Sequence, residues 1–134
     1  MSLVYLDTSA AVKLAMSEPE SDALRGWMGA TEGDLLSSSL LVTEILRACH
    51  PHGPDATIAA RGVIDRINFV EVDRSILEIA AYLAPAAMRT LDAIHLATAL
   101  GKLPFLRALV TYDKRLAVAC RDHGVSVVSP GVDL

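Results

Sequence analysis

Val4-Tyr5-Leu6-Asp7-Thr8-Ser9-Ala10 decides how the rest of this 134-residue chain is read. Leu3–Leu6 is a short, wholly apolar run, the pattern of a strand buried on both faces. Asp7-Thr8-Ser9 follows at once and is helix-capping chemistry. Ala10–Met16 then carries a helical pattern. The chain therefore opens as a strand running straight into a helix, with an acid at the junction.

The same grammar recurs downstream. Ser17-Glu18-Pro19-Glu20 has the form of a capping box with proline in the first turn, leading a helix through Trp27 that Gly29 stops. Leu35–Ser38 is a second strand and Leu40–Cys49 a helix, broken by Pro51-His52-Gly53-Pro54. Asp55 is expected to cap a helix through Arg66, and Asn68–Val72 to form a third strand. Asp73 caps Arg74–Ala84, which ends before Pro85. Thr90 is positioned to cap Leu91–Leu100. Leu109–Thr111 is a fourth strand, followed by a helix from Asp113 or Lys114 to about Asp122 and a fifth strand over Val125–Val128. Strands alternating with helices predict one α/β domain over residues 1–134, a parallel five-stranded sheet covered by helices on both faces.

Composition narrows the function. The hydrophobic share is 52%, with a mean hydropathy of +0.40. Both are high for a small domain, and the excess suggests apolar surface covered by a partner or a second copy. No apolar run is long enough to span a bilayer, and no signal-peptide pattern opens the chain, so a cytoplasmic protein without a membrane partner is expected. Cys49 and Cys120 form no CxxC pair and read as packed thiols. The net charge of −4 argues against binding nucleic acid through bulk positive charge. Six aromatic side chains are too few for a base-stacking platform.

The acids are not evenly spread. In an open parallel sheet, ligands bind outside the carboxyl ends of the strands, where strand order reverses. Asp7 follows the first strand and Asp113 the fourth, so neighbouring strands would bring them to one edge. Asp92 lies just inside a helix start, and Glu44 about a turn into its helix among Leu41, Val42, Ile45 and Leu46. With these four set aside, 12 acids face 12 bases. Such a cluster, with no basic neighbour, is hard to keep ionised without cations, and oxygen-only ligands suit Mg²⁺ or Mn²⁺ rather than zinc. Each acid taken alone also has a structural reading: Asp7 and Asp113 as helix caps, Glu44 as a partner for Arg47. His95, one turn after Asp92, reads as a supporting or helix-packing group, and His50 and His52 as loop residues. No nucleophile-elbow glycines surround Ser37-Ser38-Ser39, and no Gly-rich phosphate loop is present. Lys13, Arg89, Lys114 and Arg115 lie near the acids in sequence and are the candidate contacts for a phosphate backbone.

Four local strings together resemble one family. Val4-Tyr5-Leu6-Asp7-Thr8-Ser9-Ala10, Thr43-Glu44-Ile45-Leu46-Arg47, Arg89-Thr90-Leu91-Asp92-Ala93-Ile94-His95-Leu96-Ala97-Thr98-Ala99 and Val110-Thr111-Tyr112-Asp113-Lys114-Arg115-Leu116 resemble, in order and spacing, the acid-bearing segments of PIN domains, in particular VapC-type toxins. The resemblance implies a three-layer α/β/α sandwich and Mg²⁺- or Mn²⁺-dependent cleavage of RNA. It implies Asp7, Glu44, Asp92 and Asp113 as the acidic quartet, with Thr8 or Ser9 and Thr111 as polar groups supporting it. It further implies a homodimer and a cognate antitoxin. An antitoxin helix would lie on apolar surface beside the site, with Val12, Leu14, Leu24, Trp27 and Met28 as candidate contacts. Three other readings compete: a phospho-acceptor receiver domain, a catalytically silent binding module on the same fold, and a DNA-directed or broader nuclease. The receiver needs paired acids after the first strand and a lysine after the fifth, and neither is present.

Overall fold

The computed structural model describes residues 1–134. Five strands, β1 (Leu3–Leu6), β2 (Asp34–Ser38), β3 (Asn68–Val70), β4 (Leu106–Val110) and β5 (Val127–Val128), form one parallel sheet in the order β3-β2-β1-β4-β5. Seven α-helices flank it: α1 (Thr8–Ala15), α2 (Ser21–Gly29), α3 (Leu40–Cys49), α4 (Pro54–Asp65), α5 (Arg74–Tyr82), α6 (Thr90–Leu100) and α7 (Lys114–Asp122). No helix is long and apolar enough to cross a membrane.

The central strand explains the layering. Every residue of β1 is buried, and alternation sends its side chains to opposite faces. Val4 and Leu6 join a core with Leu24, Leu41, Ile45 and Val63, beneath α1–α4. Leu3 and Tyr5 join a second core with Leu96, Leu109, Leu116 and Cys120, beneath α6 and α7. Helix α6 is buried continuously from Ala93 to Ala99, because α5 closes its outer side through Ala80, Ala93, Ile94 and Ala97. This is why its apolar residues show no single stripe.

Several element ends differ from those the sequence predicts. The second helix begins at Ser21, not in the Ser17–Glu20 box. The Ser21 hydroxyl accepts the Glu18 N–H (2.9 Å) and donates to the Met16 carbonyl (3.0 Å), so it ties the α1–α2 turn, while no side chain caps α2. Helix α5 stops at Tyr82 rather than Ala84. Thr90 is the first residue of α6 rather than its cap, and Arg89 precedes it. Asp55 lies in the first turn of α4, while Gly53 caps that helix at φ +105°, a backbone conformation that favours glycine. β3 and β5 are shorter, and β4 begins earlier, than predicted.

Two substitutions test these assignments by urea denaturation. Leu109→Ala empties part of the second core and should cost about 2–5 kcal/mol. Asp73→Ala removes only the exposed cap that accepts the Ile76 N–H (2.9 Å) and should cost about 1 kcal/mol. The reverse ranking would overturn the layering.

Candidate active site

The order in which the chain lays down its parallel strands reverses between β1 and β4. From β1 the chain moves outward through β2 to β3, then returns across the sheet to β4 and β5. Asp7 and Asp113 follow those two adjacent strands, and the Asp7 N–H extends the ladder to the Val110 carbonyl (3.2 Å). Both also cap helices. Asp7 Oδ1 accepts the Ala10 N–H and Asp113 Oδ1 the Leu116 N–H, each at 3.0 Å. The cap and the candidate site are thus the same carboxylates, because each strand runs directly into a helix there.

Asp7 is almost fully buried. Oδ1 also accepts from the Ser9 hydroxyl (2.7 Å), and Oδ2 accepts from the Thr111 hydroxyl (2.6 Å). Those hydroxyls in turn accept the N–H groups of Tyr112 (2.9 Å) and Asp113 (3.0 Å). Ser9 and Thr111 therefore sew the β1 and β4 loops together through Asp7. Burial pushes the Asp7 carboxyl above the usual range, against these hydrogen bonds, which lower it.

Glu44 projects from α3, and its Oε1 accepts from the Thr8 hydroxyl (2.7 Å) and meets His95 Nε2 (2.7 Å). His95 is buried, and its Nδ1 lies 2.7 Å from the Tyr5 hydroxyl. That hydroxyl accepts the Ser38 N–H (3.2 Å), so its own proton is directed at Nδ1. The hydrogen-bond pattern then leaves the ring proton on Nε2, donated to Glu44. Burial would raise the Glu44 carboxyl, but His95 and Thr8 outweigh it and hold it below the usual range. Glu44 makes no ion pair with Arg47. The sequence reading missed Tyr5. The available signal was a phenol in an otherwise apolar buried strand, which needs a hydrogen-bond partner.

Two expectations about the basic residues are corrected. The acids do have a basic neighbour: Arg89, immediately before α6, donates through Nε to Asp92 Oδ2 (2.8 Å) and through its terminal nitrogen to Asp113 Oδ2. Its hydrogen bond and attraction to Asp92, with the attraction of Asp113, hold the guanidinium even more firmly protonated than usual. The i, i+3 spacing to Asp92 was the signal for that contact. Lys13 is also corrected. Its ammonium pairs with Glu20 (2.9 Å) and Glu18 (3.4 Å) and lies over the Tyr112 ring, so it is not a free phosphate contact. Lys114 and Arg115 are exposed and make no ion pair.

A pocket of about 310 Å³ unites Asp7, Glu44, Asp92 and Asp113, with Thr8, Ser9, Arg89 and His95 in its wall. Its donors are carboxylate and hydroxyl oxygens, which suit a hard divalent ion in kind. No three of the carboxylates, with His95, stand as they are in an arrangement that would hold one. Two of the acids already hold a cation, the Arg89 guanidinium, so an ion there must exchange for it.

The apolar candidates divide. Leu24 is fully buried core and cannot meet a partner. Val12 packs partly buried against the same core. Leu14, Trp27 and Met28 line a cleft of about 400 Å³ with Arg25, Leu35 and Arg66. That cleft is not beside the acids. Gly33 and Leu35 place it at the start of β2, whereas Asp7 follows the end of β1, so in a parallel sheet the two lie at opposite edges.

Asp7 gives a pH-dependent test in the presence of a chelator. Its folded carboxyl is raised, so ionising it penalises the folded state progressively as pH climbs from the ordinary carboxylate range through the folded value. Asp7→Asn keeps an acceptor for the cap and removes that penalty. Thermal melts should show it more stable than the parent chain at neutral pH, with the advantage shrinking as pH falls towards the ordinary range. A less stable Asp7→Asn at neutral pH would contradict the burial argument.

The comparisons with known proteins agree with this architecture. The PIN domain model matches residues 4–122. Ribonuclease VapC46 of Mycobacterium tuberculosis is 43% identical over 130 residues, covering 97% of this chain and 99% of that protein. The crystal structure of M. tuberculosis VapC20, described as a Sarcin-Ricin loop cleaving toxin, superposes with a TM-score of 0.73 at 17% identity, over 95% of this chain and 99% of that one. A toxin–antitoxin complex from Klebsiella pneumoniae gives 0.71 at 20% identity, over 97% and 98%. At such identities the two structures bear on the fold alone. The fold, the family match and the full-length identity together mean that the chain belongs to the PIN-domain family, among its VapC-type ribonucleases.

Proposed function

We propose that this chain is a Mg²⁺- or Mn²⁺-dependent endoribonuclease, the toxin of a toxin–antitoxin pair, with Asp7, Glu44, Asp92 and Asp113 as the residues that hold the ion. The observation that carries the reading is the convergence of four carboxylates, from four separate segments of the chain, on one pocket at the switch point of the sheet. The full-length relative is named a ribonuclease. Bound there, the ion would supply a water of lowered pKa and neutralise charge on a phosphodiester.

The chain's own side chains do the rest. Ser9 and Thr111 fix both oxygens of Asp7, and Thr8 and His95 fix one oxygen of Glu44, leaving Oε2 without a side-chain donor. Arg89, once released from Asp92 and Asp113, is placed at the pocket wall to meet a phosphate. Lys114 and Arg115 add positive charge next to Asp113 in an otherwise acidic chain.

The antitoxin is assigned to the opposite edge, where Trp27 supplies an aromatic anchor in the cleft with Leu14 and Met28. The match to VapC-type ribonucleases along nearly the whole chain supports a partner of this kind. A homodimer accounts for exposed apolar residues such as Leu77, Ile79 and Tyr82.

The purified chain should cleave RNA but not DNA with Mg²⁺ or Mn²⁺, and cleavage should stop in EDTA. Asp92→Asn should lower the rate by about two to three orders of magnitude while leaving the fold intact. Cleavage that persists in excess EDTA would rule out the metal, and cleavage by Asp92→Asn at the parent rate would rule out the site. Expression alone should arrest growth, with rescue by the cognate antitoxin through a complex that Trp27→Ala weakens.

Arg89 gives an independent measurement. Because it occupies two of the four acids, Arg89→Gln should bind Mn²⁺ severalfold more tightly by calorimetry, with or without RNA cleavage. Unchanged or weaker affinity would mean that the guanidinium does not compete.

A further inference from the structure

A second cleft, of about 680 Å³, adjoins the acid pocket and shares Arg89 and Asp92 with it. Its floor is apolar: Pro85, Met88 and Val118, with Val118 half exposed. Its rim carries Lys114 and Arg115, both exposed and without an ion-pair partner, in the first turn of the helix that Asp113 caps. Apolar floor and cationic rim are the two halves of a nucleotide site, one for the flat face of a base and one for its phosphate. The volume falls within the roughly 300–1,000 Å³ of small-ligand clefts.

We propose that this cleft takes the first nucleotide beyond the two that flank the scissile phosphate, its base unstacked against Met88 and Val118 and its phosphate on Lys114 and Arg115. The proposal rests on the ribonuclease reading of the acid pocket. Continuity selects RNA as the occupant, since the cleft shares Arg89 and Asp92 with the acid pocket and a strand leaving the acids on that side enters it. The floor carries no aromatic ring and no side-chain amide to read a base edge. It therefore selects for a nucleotide out of the stack, in a single strand or loop, rather than for a particular base.

The test is steady-state cleavage, with Mn²⁺, of a dinucleotide and of oligoribonucleotides extended on the 5′ or the 3′ side, single-stranded and in duplex. Val118→Asn removes apolar floor at a half-exposed position, so the fold should survive, and a thermal melt checks this. It should raise KM roughly three- to tenfold on strands extended towards the cleft, with kcat little changed. On the dinucleotide it should have no effect. Duplex RNA should be cut poorly by both proteins. Lys114→Ala with Arg115→Ala should flatten the salt dependence of log KM by about 0.7 for each phosphate that the variant no longer neutralises. A Val118→Asn effect equal on dinucleotide and extended strands, or absent from both, would overturn the subsite and leave the nuclease reading standing. Failure of the parent chain to cut any of these RNAs would overturn both.

Discussion

A carboxylate buried at the carboxyl end of the central strand is the constraint around which the molecule is arranged. Asp7 starts α1, accepts hydrogen bonds from Ser9 and Thr111, and through them fixes the backbone of Tyr112 and Asp113. An ionised group in that position is costly unless donors surround it. The chain supplies three, yet the carboxyl remains raised. The cost is local: burial opposes a charge at Asp7 more than its hydrogen-bond donors favour one. A cation bound there would relieve that cost, which is the physical link between the architecture and the metal-dependent activity proposed above.

The second link runs through the sheet. The Ser38 N–H, the Tyr5 hydroxyl, the His95 ring and Glu44 form a continuous series of hydrogen bonds from β2, through β1 and α6, to α3. Tyr5 and His95 are buried, and no buried side-chain nitrogen or oxygen lacks a partner. Because each member has its donor and acceptor assigned by its neighbours, the series sets which Glu44 oxygen is engaged and which faces the pocket. It also explains why α6 tolerates a polar ring in a stretch buried on all sides. The histidine bridges an interior phenol and a half-buried carboxylate, so removing either partner would leave a buried ring nitrogen unsatisfied.

The legible parts of the fold are those governed by short-range rules. Apolar runs ending in Asp7 and Asp113 fix both the strand ends and the helix starts, and helical period places Glu44 and Asp92 on inward turns. A pairing order of β3-β2-β1-β4-β5 depends on contacts between distant segments, and local pattern bears on it only through the requirement that Asp7 and Asp113 meet. Arg89 was near enough in sequence to suggest a phosphate contact, but its engagement with Asp113 depends on how the loop before α6 approaches α7. The Ser17–Glu20 box fails for a similar reason, since Ser21 holds the α1–α2 turn by reaching back to Glu18 and Met16, and those contacts depend on the path of the turn. Leu24, Trp27 and Met28 share a helix face, and period alone does not separate the core residue from those at the rim.

Parallel strands give the sheet two chemically different edges, and the two are lined differently. At the carboxyl edge, loops leave the strands and enter helices, so caps, dipole ends and acids collect around Asp7 and Asp113. At the opposite edge, helix ends such as Leu14 and Trp27 meet the beginnings of strands, and a mainly nonpolar hollow results. Helix α1 spans the two, with Asp7 at its start and Leu14 near its end, about 10 Å apart along its axis. Its middle is pinned on the core by Ala10 and Ala11, residues too small to leave slack. A partner that shifts the far end of α1 would therefore strain the Asp7 cap directly, while one that leaves α1 in place must reach the acids by a path outside the fold. The geometry thus separates the proposed partner cleft from the acid pocket in space but joins them through a single short helix.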